Sequence, residues 1–260
     1  MEIVILQGPE SVGELVAEAI VDQVRRRHHA VLGLATGSSP LPAYRSLVAR
    51  HRAGEVSFEH VSAVLLDEYV GLQPDHPQAY RQVIRRELVD QVDLPLEHLH
   101  SPAVHSGDIP NACRAYEELI ASLGGVDLQL LGIGADGHLG FNEPISSLRS
   151  RTRIKTLTDR TRADNARFFA SGEEVPRHVV TQGLGTILEA RHLVLIATGE
   201  AKAAPVAAAV EGPLASRCPA SVLQLHPHVT VVLDEEAAGR LELADYYRET
   251  WRHKPAWQHL

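Results

Sequence analysis

Short apolar runs alternate with helical patterns along the whole chain, and this alternation constrains the fold more than any other feature. The runs predicted to be strands are 2–6, 30–35, 61–66, 126–133, 192–198 and 229–233. The segments with helical spacing are 11–27, 41–51, 78–92, 109–123 and 200–211. Near-continuous apolar strands separated by helices indicate a mostly parallel sheet with helices on both faces. We therefore expect an α/β fold with a single doubly wound sheet, in one domain over residues 1–260.

Charge and composition argue against several classes of function. The chain carries a formal net charge of −8 with histidine neutral, which argues against a nucleic-acid partner or an anionic membrane surface. No run approaches the roughly 20 apolar residues that span a bilayer, and the first residues, MEIVILQGPESVG, lack the basic region of a signal peptide. Cys113 and Cys218 show no metal-site spacing. We expect a cytoplasmic protein with reduced cysteines.

Polar clusters follow three of the predicted strands. They lie at 36–40 (TGSSP), 67–69 (DEY) and 134–138 (GADGH). In open α/β sheets ligands bind outside the carboxyl ends of the strands. Separate placement on three unrelated surface loops would explain any one cluster, but it explains all three poorly. The sequence therefore predicts that they converge on one crevice.

The segment 35–44, ATGSSPLPAY, has the composition of a strand-to-helix turn that binds an anion. Gly37 permits a tight turn, Ser39 is expected to cap the helix, and Pro40 suits its first position. The amides of a helix start and the hydroxyls of Thr36, Ser38 and Ser39 can donate to a phosphate. The spacing fits neither a Walker loop nor a dinucleotide fingerprint. A turn without a ligand remains an alternative.

Two further segments supply proton-active side chains. In 65–72, LLDEYVGL, adjacent acids end an apolar strand, and only one of them can easily face a given site. Such a carboxylate could act as a general base if burial raises its pKa, although an exposed acidic loop is the plainer interpretation. In 132–144, GIGADGHLGFNEP, His138 stands between Asp136 and Glu143. Flanking carboxylates can hold an imidazole in one tautomer, and the imidazole can then move protons near neutral pH.

Other interpretations of segment 132–144 remain open. Asp136, His138 and Glu143 are all metal-ligand types, but no second nearby histidine completes a facial triad. A structural histidine in a glycine-rich turn would leave the two acids unexplained.

A basic run at 145–169 contrasts with the acidic chain and favours anion binding over a solvated charged face. Its cations are Arg149, Arg151, Arg153, Lys155, Arg160, Arg162 and Arg167. Lys202 follows another strand-to-helix turn and is a second candidate for binding phosphate.

Nearly end to end, the chain resembles glucosamine-6-phosphate deaminases. The matching segments are ATGSSP, LLDEYVGL, GIGADGHLGFNEP, SSLRSRTRIKTLT, NARFF, AKAAPVAAAVEG and SVLQLHPH. The expected fold is thus a modified Rossmann-like one. The resemblance implies that the chain converts glucosamine 6-phosphate and water to fructose 6-phosphate and ammonia. No metal or organic cofactor is expected, because proton transfer and positioning suffice.

The resemblance also implies residue roles. His138 would open the pyranose ring, oriented by Asp136 and Glu143, and Asp67 would move the proton from carbon 2 to carbon 1. The phosphate would be held by the turn of Thr36, Gly37, Ser38 and Ser39 together with Arg167 and Lys202.

Some members of this family are hexamers that N-acetylglucosamine 6-phosphate activates at a subunit interface. Ser146, Arg153 and Lys155 match the motif of that second site, and Tyr246 is a C-terminal contributor. We therefore expect a homo-oligomer, with a hexamer as one form, and allosteric activation. The tail at 249–260, ETWRHKPAWQHL, departs from the family pattern.

Three rival functions remain alternatives: a 6-phosphogluconolactonase, a deaminase of another amino sugar phosphate, and a non-catalytic sugar-phosphate sensor. A 6-phosphogluconolactonase would share the phosphosugar site but needs no carbon-2 base, so LLDEYVGL with GHLGFNEP favours the deaminase. Phosphate contacts cannot separate glucosamine from galactosamine 6-phosphate. A catalytically silent sugar-phosphate sensor should have lost an acid or the histidine, and the sequence keeps all four groups: Asp67, Asp136, His138 and Glu143.

The polar segment 165–183, interrupted by proline, is a candidate lid.

Overall fold

The strands form two separate sheets. The computed structural model describes residues 1–105, 107–255, 257–258 and 260. In chain order the strands of this part are β1 Glu2–Leu6, β2 Val31–Leu34, β3 Ser62–Leu65, β4 Asp67–Val70, β5 Leu99–His100, β6 Leu128–Leu131, β7 Arg153–Thr156, β8 His178–Thr181, β9 His192–Ala197 and β10 Val229–Asp234. The α-helices are α1 Pro9–Arg26, α2 Leu41–Arg52, α3 Tyr80–Glu87, α4 Ile109–Ser122, α5 Asp159–Ala166, α6 Leu184–Ile187, α7 Ala203–Val210 and α8 Ala244–Arg252.

The larger sheet has seven strands in the order β1-β10-β9-β6-β2-β3-β5. Every neighbouring pair in it is parallel. Strands β2, β6, β9 and β10 are buried at every position, as expected for a sheet covered on both faces. The predicted mostly parallel α/β sheet is therefore confirmed.

The direction of chain travel reverses inside this sheet. From β2 the chain moves outward through β3 to β5, whereas from β6 it moves the opposite way through β9 to β10. The reversal lies between the neighbouring strands β2 and β6, and a crevice opens outside the carboxyl ends of strands at such a switch point. The two segments that leave these ends are 35–40 and 132–138, and they contain the predicted polar clusters 36–40 and 134–138.

Helix α1 shows how helical spacing produces the packing. Its buried residues recur every four positions at Val12, Val16, Ile20 and Val24 and form one apolar face. A Cβ atom on Gly13 would lie 2.5 Å from Cβ of Pro42, so only glycine allows α1 to approach the start of α2 this closely.

The second sheet, β4-β8-β7, is antiparallel and was not expected. Asp67 pairs with Thr181 in β4 and β8, and Arg153 also pairs with Thr181 in β7 and β8. The predicted parallel sheet is thus the central one, and this small antiparallel sheet is added to it. Strand β7 alternates half-buried and exposed residues and lies inside the basic run, where its charges obscured the strand.

Other predicted bounds also change. The helix expected at 78–92 ends at Glu87 and is followed by a 3-10 turn at Val89–Gln91, and the helix expected at 200–211 begins with a 3-10 turn at Glu200–Lys202. In the candidate lid 165–183, His178–Thr181 forms the paired strand β8, and a lid role for the remainder stays a prediction. Within the described residues, no helix is both long and apolar enough to cross a membrane.

Candidate active site

Segments that leave three neighbouring strands of the large sheet form the candidate site. Strands β9, β6 and β2 are adjacent, and their carboxyl ends lead into the segments that carry Lys202, His138 and Ser38. Nζ of Lys202 donates a hydrogen bond of 2.6 Å to the carbonyl oxygen of Ile133, just after β6. The phosphate candidate Lys202 therefore contacts the start of the glycine-rich segment 132–144.

The turn after β2, the neighbour of β6 in the sheet, carries the predicted hydroxyl groups. Gly37 has φ +97°, a left-handed conformation that favours glycine, and Ser38 is exposed. The buried hydroxyl of Tyr44 donates to the carbonyl oxygen of Ala35 at 2.7 Å and so fixes the end of β2. Ser39 does not cap α2 as predicted: the helix begins at Leu41, Pro40 occupies the capping position, and no side chain caps it.

His138 and Asp136 form a close pair within the glycine-rich segment. Nδ1 of His138 lies 2.6 Å from Oδ1 of Asp136, and the backbone amide of His138 donates to the same oxygen at 3.2 Å. Burial alone would raise the pKa of Asp136, but the hydrogen bonds and charge of His138 lower it below its ordinary value. Because an ionised carboxylate only accepts hydrogen bonds, the Nδ1 proton is held there and Nε2 is left for proton transfer.

The imidazole of His138 packs directly over Gly134. A Cβ atom on Gly134 would lie 2.2 Å from Cε1 of that ring, so no larger residue fits while the ring keeps this position. Gly137 has φ +83°, and a Cβ atom there would lie 2.6 Å from Sγ of Cys218. These two glycines therefore let the segment fold tightly enough to bring Asp136 and His138 together.

Asp67 lies against the segment that follows His138. The residue is only 6% exposed, and a Cβ atom on Gly140 would be 3.4 Å from its Oδ2 atom. The backbone amide of Phe141 donates to Oγ1 of Thr181, which is the residue that pairs with Asp67 across β4 and β8. Burial, and secondarily the charge of Glu68, raise the pKa of Asp67 well above its ordinary value. A buried carboxyl with such a pKa is suited to general-base chemistry.

Glu68 has a structural position that differs from that of Asp67. Its carboxylate accepts hydrogen bonds of 2.9 Å from the backbone amides of Tyr69, Tyr80 and Arg81 and so anchors the start of α3. Burial raises the pKa of Glu68, and these three amides counteract part of that effect. Of the two adjacent acids, only Asp67 adjoins the segment of His138, as the alternation of strand side chains predicts.

Glu143 is buried and accepts hydrogen bonds from the hydroxyls of Thr158 and Thr161. Its predicted contact with His138 is absent from the hydrogen bonds of the described residues, so that role stays a prediction. Within the same residues, Asp136, His138 and Glu143 do not bring three ligand atoms together around one point. No sequence signal identified the two threonines, because they lie beyond the glycine-rich segment, where Thr158 caps α5 and Thr161 lies in its first turn.

The two predicted phosphate cations interact electrostatically. Burial lowers the pKa of Lys202, the nearby charge of Arg167 lowers it further, and Asp164 and Asp136 oppose the shift. Gly199, with φ +87°, donates its amide to both carboxylate oxygens of Asp234 and thereby positions the turn that carries Lys202. Arg167 is exposed at the end of α5, where its guanidinium carbon lies 4.8 Å from the ring centroid of Phe168.

The four predicted second-site residues lie on different elements. Arg153 and Lys155 are half-buried on β7, two positions apart and hence on one face of the strand. Ser146 is buried, and its hydroxyl has no hydrogen-bond partner within the described part of the chain. Tyr246 is 60% exposed on α8, and its one described ring contact is with Tyr247. The structure therefore pairs Arg153 with Lys155 but does not join Tyr246 to them.

Comparisons with known proteins agree with one another. Residues 8–232 match the model of a family described as glucosamine-6-phosphate isomerases/6-phosphogluconolactonase. The chain is 61% identical to a glucosamine-6-phosphate deaminase of Arthrobacter sp. (strain FB24) over 260 residues, 100% of both chains. It is 58% identical to the deaminase of Streptomyces coelicolor over 259 residues, 99% of both.

Solved structures give the same relationship. A monomeric glucosamine-6-phosphate deaminase superposes with a TM-score of 0.90 at 40% identity, over 92% of this chain and 100% of that one. A 6-phosphogluconolactonase from Trypanosoma cruzi superposes with a TM-score of 0.73 at 21% identity, over 93% of this chain and 97% of that one, which shows a shared fold alone.

Proposed function

The chain belongs to the family of glucosamine-6-phosphate isomerases and 6-phosphogluconolactonases, and we propose that it is an enzyme that deaminates glucosamine 6-phosphate. The products are fructose 6-phosphate and ammonia. The observation that carries the proposal is the buried carboxyl of Asp67 beside the segment of His138. Isomerisation needs a base that can reach carbon 2, whereas hydrolysis of a lactone does not.

Ring opening is assigned to His138. Its Nδ1 proton is held by Asp136, so Nε2 can accept the proton of the carbon-1 hydroxyl while the ring oxygen gains one. Glu143, which accepts from Thr158 and Thr161, completes the expected set of acids around this step. The result is the open-chain amino aldehyde, in which the hydrogen on carbon 2 is acidic.

Isomerisation and deamination are assigned to Asp67. Its carboxylate takes the proton from carbon 2 while the ammonium group on that carbon gives a proton to the aldehyde oxygen on carbon 1, which gives an enolamine. The protonated carboxyl of Asp67 then returns its proton to carbon 1. Carbon 2 then carries an imine, and water adds there and expels ammonia to leave the ketone. The raised pKa of Asp67 makes its carboxylate a stronger base. The ammonium group on carbon 2 of the bound substrate favours the ionised form of that carboxyl.

Phosphate binding is assigned to the turn of Thr36, Gly37, Ser38 and Ser39 together with Lys202 and Arg167. The support is that the turn follows β2 while Lys202 contacts the end of β6, the next strand of the sheet. The charge of Arg167 is close enough to lower the pKa of Lys202. A phosphate bound between the two cations would offset their repulsion.

One set of assays tests the activity. Purified protein is given glucosamine 6-phosphate, galactosamine 6-phosphate or 6-phosphogluconolactone, and release of ammonia, fructose 6-phosphate or acid is measured. We expect ammonia and fructose 6-phosphate from the gluco epimer. Asp67→Asn should lower that turnover by at least about 10²-fold, whereas the matched exposed variant Asp75→Asn should keep it. Lactone hydrolysis without ammonia release would refute the assignment.

A second binding site and an oligomer are further parts of the proposal. Ser146, Arg153, Lys155 and Tyr246 would bind N-acetylglucosamine 6-phosphate, the support being the half-buried cations on β7 and the unpartnered hydroxyl of Ser146. Binding at a subunit interface would bring Tyr246 to the site from a neighbouring subunit. The proposal also keeps the cytoplasmic location that the sequence predicts.

Light scattering and substrate curves test these parts. We expect an oligomer whose apparent affinity for substrate rises when the acetylated sugar phosphate is present. Arg153→Ala should remove that response, and the exposed control Arg177→Ala should retain it. A monomer, such as the 40% identical deaminase described above, with no response at any concentration would refute the second site.

A further inference from the structure

Three exposed histidines face one another at the amino ends of strands β2 and β3. His28 and His29 lie in the turn between α1 and β2, and His60 lies in the turn that precedes β3. The ring centroids of His28 and His60 are 4.3 Å apart, those of His28 and His29 are 5.1 Å apart, and those of His29 and His60 are 5.5 Å apart. Each ring offers one nitrogen such that all three nitrogens lie within 4.8 Å of one another. We call this group the histidine cluster.

The backbone beneath the histidine cluster is held by the sheet. The amide of Ser62 donates a hydrogen bond of 3.0 Å to the carbonyl oxygen of Ala30, and Val31 pairs with Ser62 in the parallel register of β2 and β3. His29 and His60 are thus one and two residues from this hydrogen bond. The main chain brings the two turns together, and the exposed side chains can rotate above it.

The charges around the histidine cluster also suit a cation. The preceding arginines have acceptors of their own: Arg25 donates to the carbonyl oxygen of Glu55, and Arg26 and Arg27 pair with Asp22 and Asp127. Glu59 places Oε2 4.0 Å from Nε2 of His60, which supplies a carboxylate at the rim.

We propose that His28, His29 and His60 bind a divalent late first-row transition-metal ion, with Zn²⁺ as the expected ion. Imidazole nitrogen is a preferred ligand of Zn²⁺, at a distance of about 2.0–2.1 Å. Tetrahedral coordination at that distance puts the nitrogens about 3.3 Å apart, so the rings must close by about 1.5 Å at most. Rotation of exposed side chains accommodates this. Water or Glu59 would provide the fourth ligand.

The site is separate from the reaction. The histidine cluster lies at the amino ends of β2 and β3. Ser38 and His138 lie in segments that follow β2 and β6, at the carboxyl ends of the parallel strands. The sequence predicts no metal for the catalytic chemistry, and that prediction concerns the site at the carboxyl ends of the strands. A bound ion would join the α1–β2 turn to the turn before β3, and it would stabilise the folded state because the unfolded chain does not hold the three rings together.

Titration of the untagged, metal-free full chain with Zn²⁺ tests the proposal. Calorimetry at about pH 7.5 is expected to show one site per chain, and the thermal midpoint should rise with the zinc concentration. The paired variant His28→Gln with His60→Gln should weaken binding at least 10-fold and remove the rise in thermal midpoint. The matched control is His253→Gln, which changes an exposed histidine directly after α8. This variant should bind zinc like the wild type.

Spectroscopy of the wild-type protein gives a result that depends on no variant. Co²⁺ in place of Zn²⁺ should develop the visible bands of a four-coordinate ion with nitrogen ligands, and added Zn²⁺ should abolish them. Binding should also weaken at about pH 5.5, since protons compete for imidazole nitrogen. Absence of these bands, or equal zinc affinity in the wild type and the paired variant, would overturn the proposal.

Discussion

Gly134→Ala should separate the function of the glycine-rich segment from its stability. The new Cβ atom would lie 2.2 Å from Cε1, 2.3 Å from Nδ1 and 2.4 Å from Nε2 of His138. Ordinary carbon contacts are about 3.5–4.0 Å, so the imidazole must move by about 1.3 Å. The hydrogen bond from Nδ1 to Asp136, now 2.6 Å, would then lengthen towards or beyond the usual limit.

The expected magnitudes differ for catalysis and folding. A displacement of about 1 Å in a positioned group costs roughly 10²-fold in rate, which corresponds to about 2.7 kcal/mol in activation free energy. The free energy of unfolding should fall by only about 1 kcal/mol, because the His138 side chain is 21% exposed and can rotate away. Gly134 is not among the glycines with positive φ, so alanine can adopt its backbone conformation.

Steady-state deaminase kinetics and urea unfolding of the same preparations measure both quantities. Gly8→Ala is the matched control, since a Cβ atom there has no neighbour within 4 Å. Gly8 follows β1, an edge strand of the large sheet that is three positions from β6. Its kcat should equal that of the wild type. A Gly134→Ala enzyme that keeps kcat within twofold, or that loses activity only in proportion to unfolded protein, would refute the assignment of His138 as a positioned catalytic group.

Three other substitutions have defined outcomes. Asp67→Asn should lower kcat by about 10²–10⁴-fold. It should also change the pH dependence of stability: because burial raises the pKa of Asp67 above 3.8, the folded state binds the proton more tightly than the unfolded chain, and wild-type stability is lost as pH rises above that value. Urea unfolding at several pH values should show a flatter profile for the variant, and an unchanged slope would contradict the burial of the carboxyl. Lys202→Met should raise KM for glucosamine 6-phosphate at least 10-fold with a smaller change in kcat, and a loss of kcat at unchanged KM would remove Lys202 from phosphate binding. Asp127→Ala should lower the free energy of unfolding by about 3 kcal/mol, because this carboxylate is 1% exposed and accepts from two arginines and a backbone amide. The exposed control Asp159→Ala should change it by less than about 1 kcal/mol, so equal losses in the two variants would argue against the burial effect.

The parallel sheet was predictable because its signal is local. A strand buried on both faces must be apolar at nearly every position, and β2, β6, β9 and β10 all read that way over four to six residues. The second sheet carries no such signal. Strand β4 reads DEYV, and it carries two buried acids in a strand that pairs with β8, more than 100 residues later.

The site residues divide in the same way. Asp136 and His138 are two residues apart in a glycine-rich turn, so their contact follows from local geometry. The different surroundings of Asp67 and Glu68 do not, because Glu68 binds amides 12 and 13 residues later while Asp67 meets Gly140. Sequence spacing also gave no reason to connect His60 with His28 and His29.

The sequence by itself determined the α/β class, the positions of the main strands and helices, and the residue types available for proton transfer and phosphate binding. These properties depend on the burial preference and backbone freedom of residues within a few positions of one another. The tertiary structure decided which acid adjoins the segment of His138, which segment forms the second sheet, and which histidines cluster at the amino ends of β2 and β3. Each of these depends on strand pairing between residues about 30 to more than 100 positions apart, and side-chain periodicity does not encode that pairing.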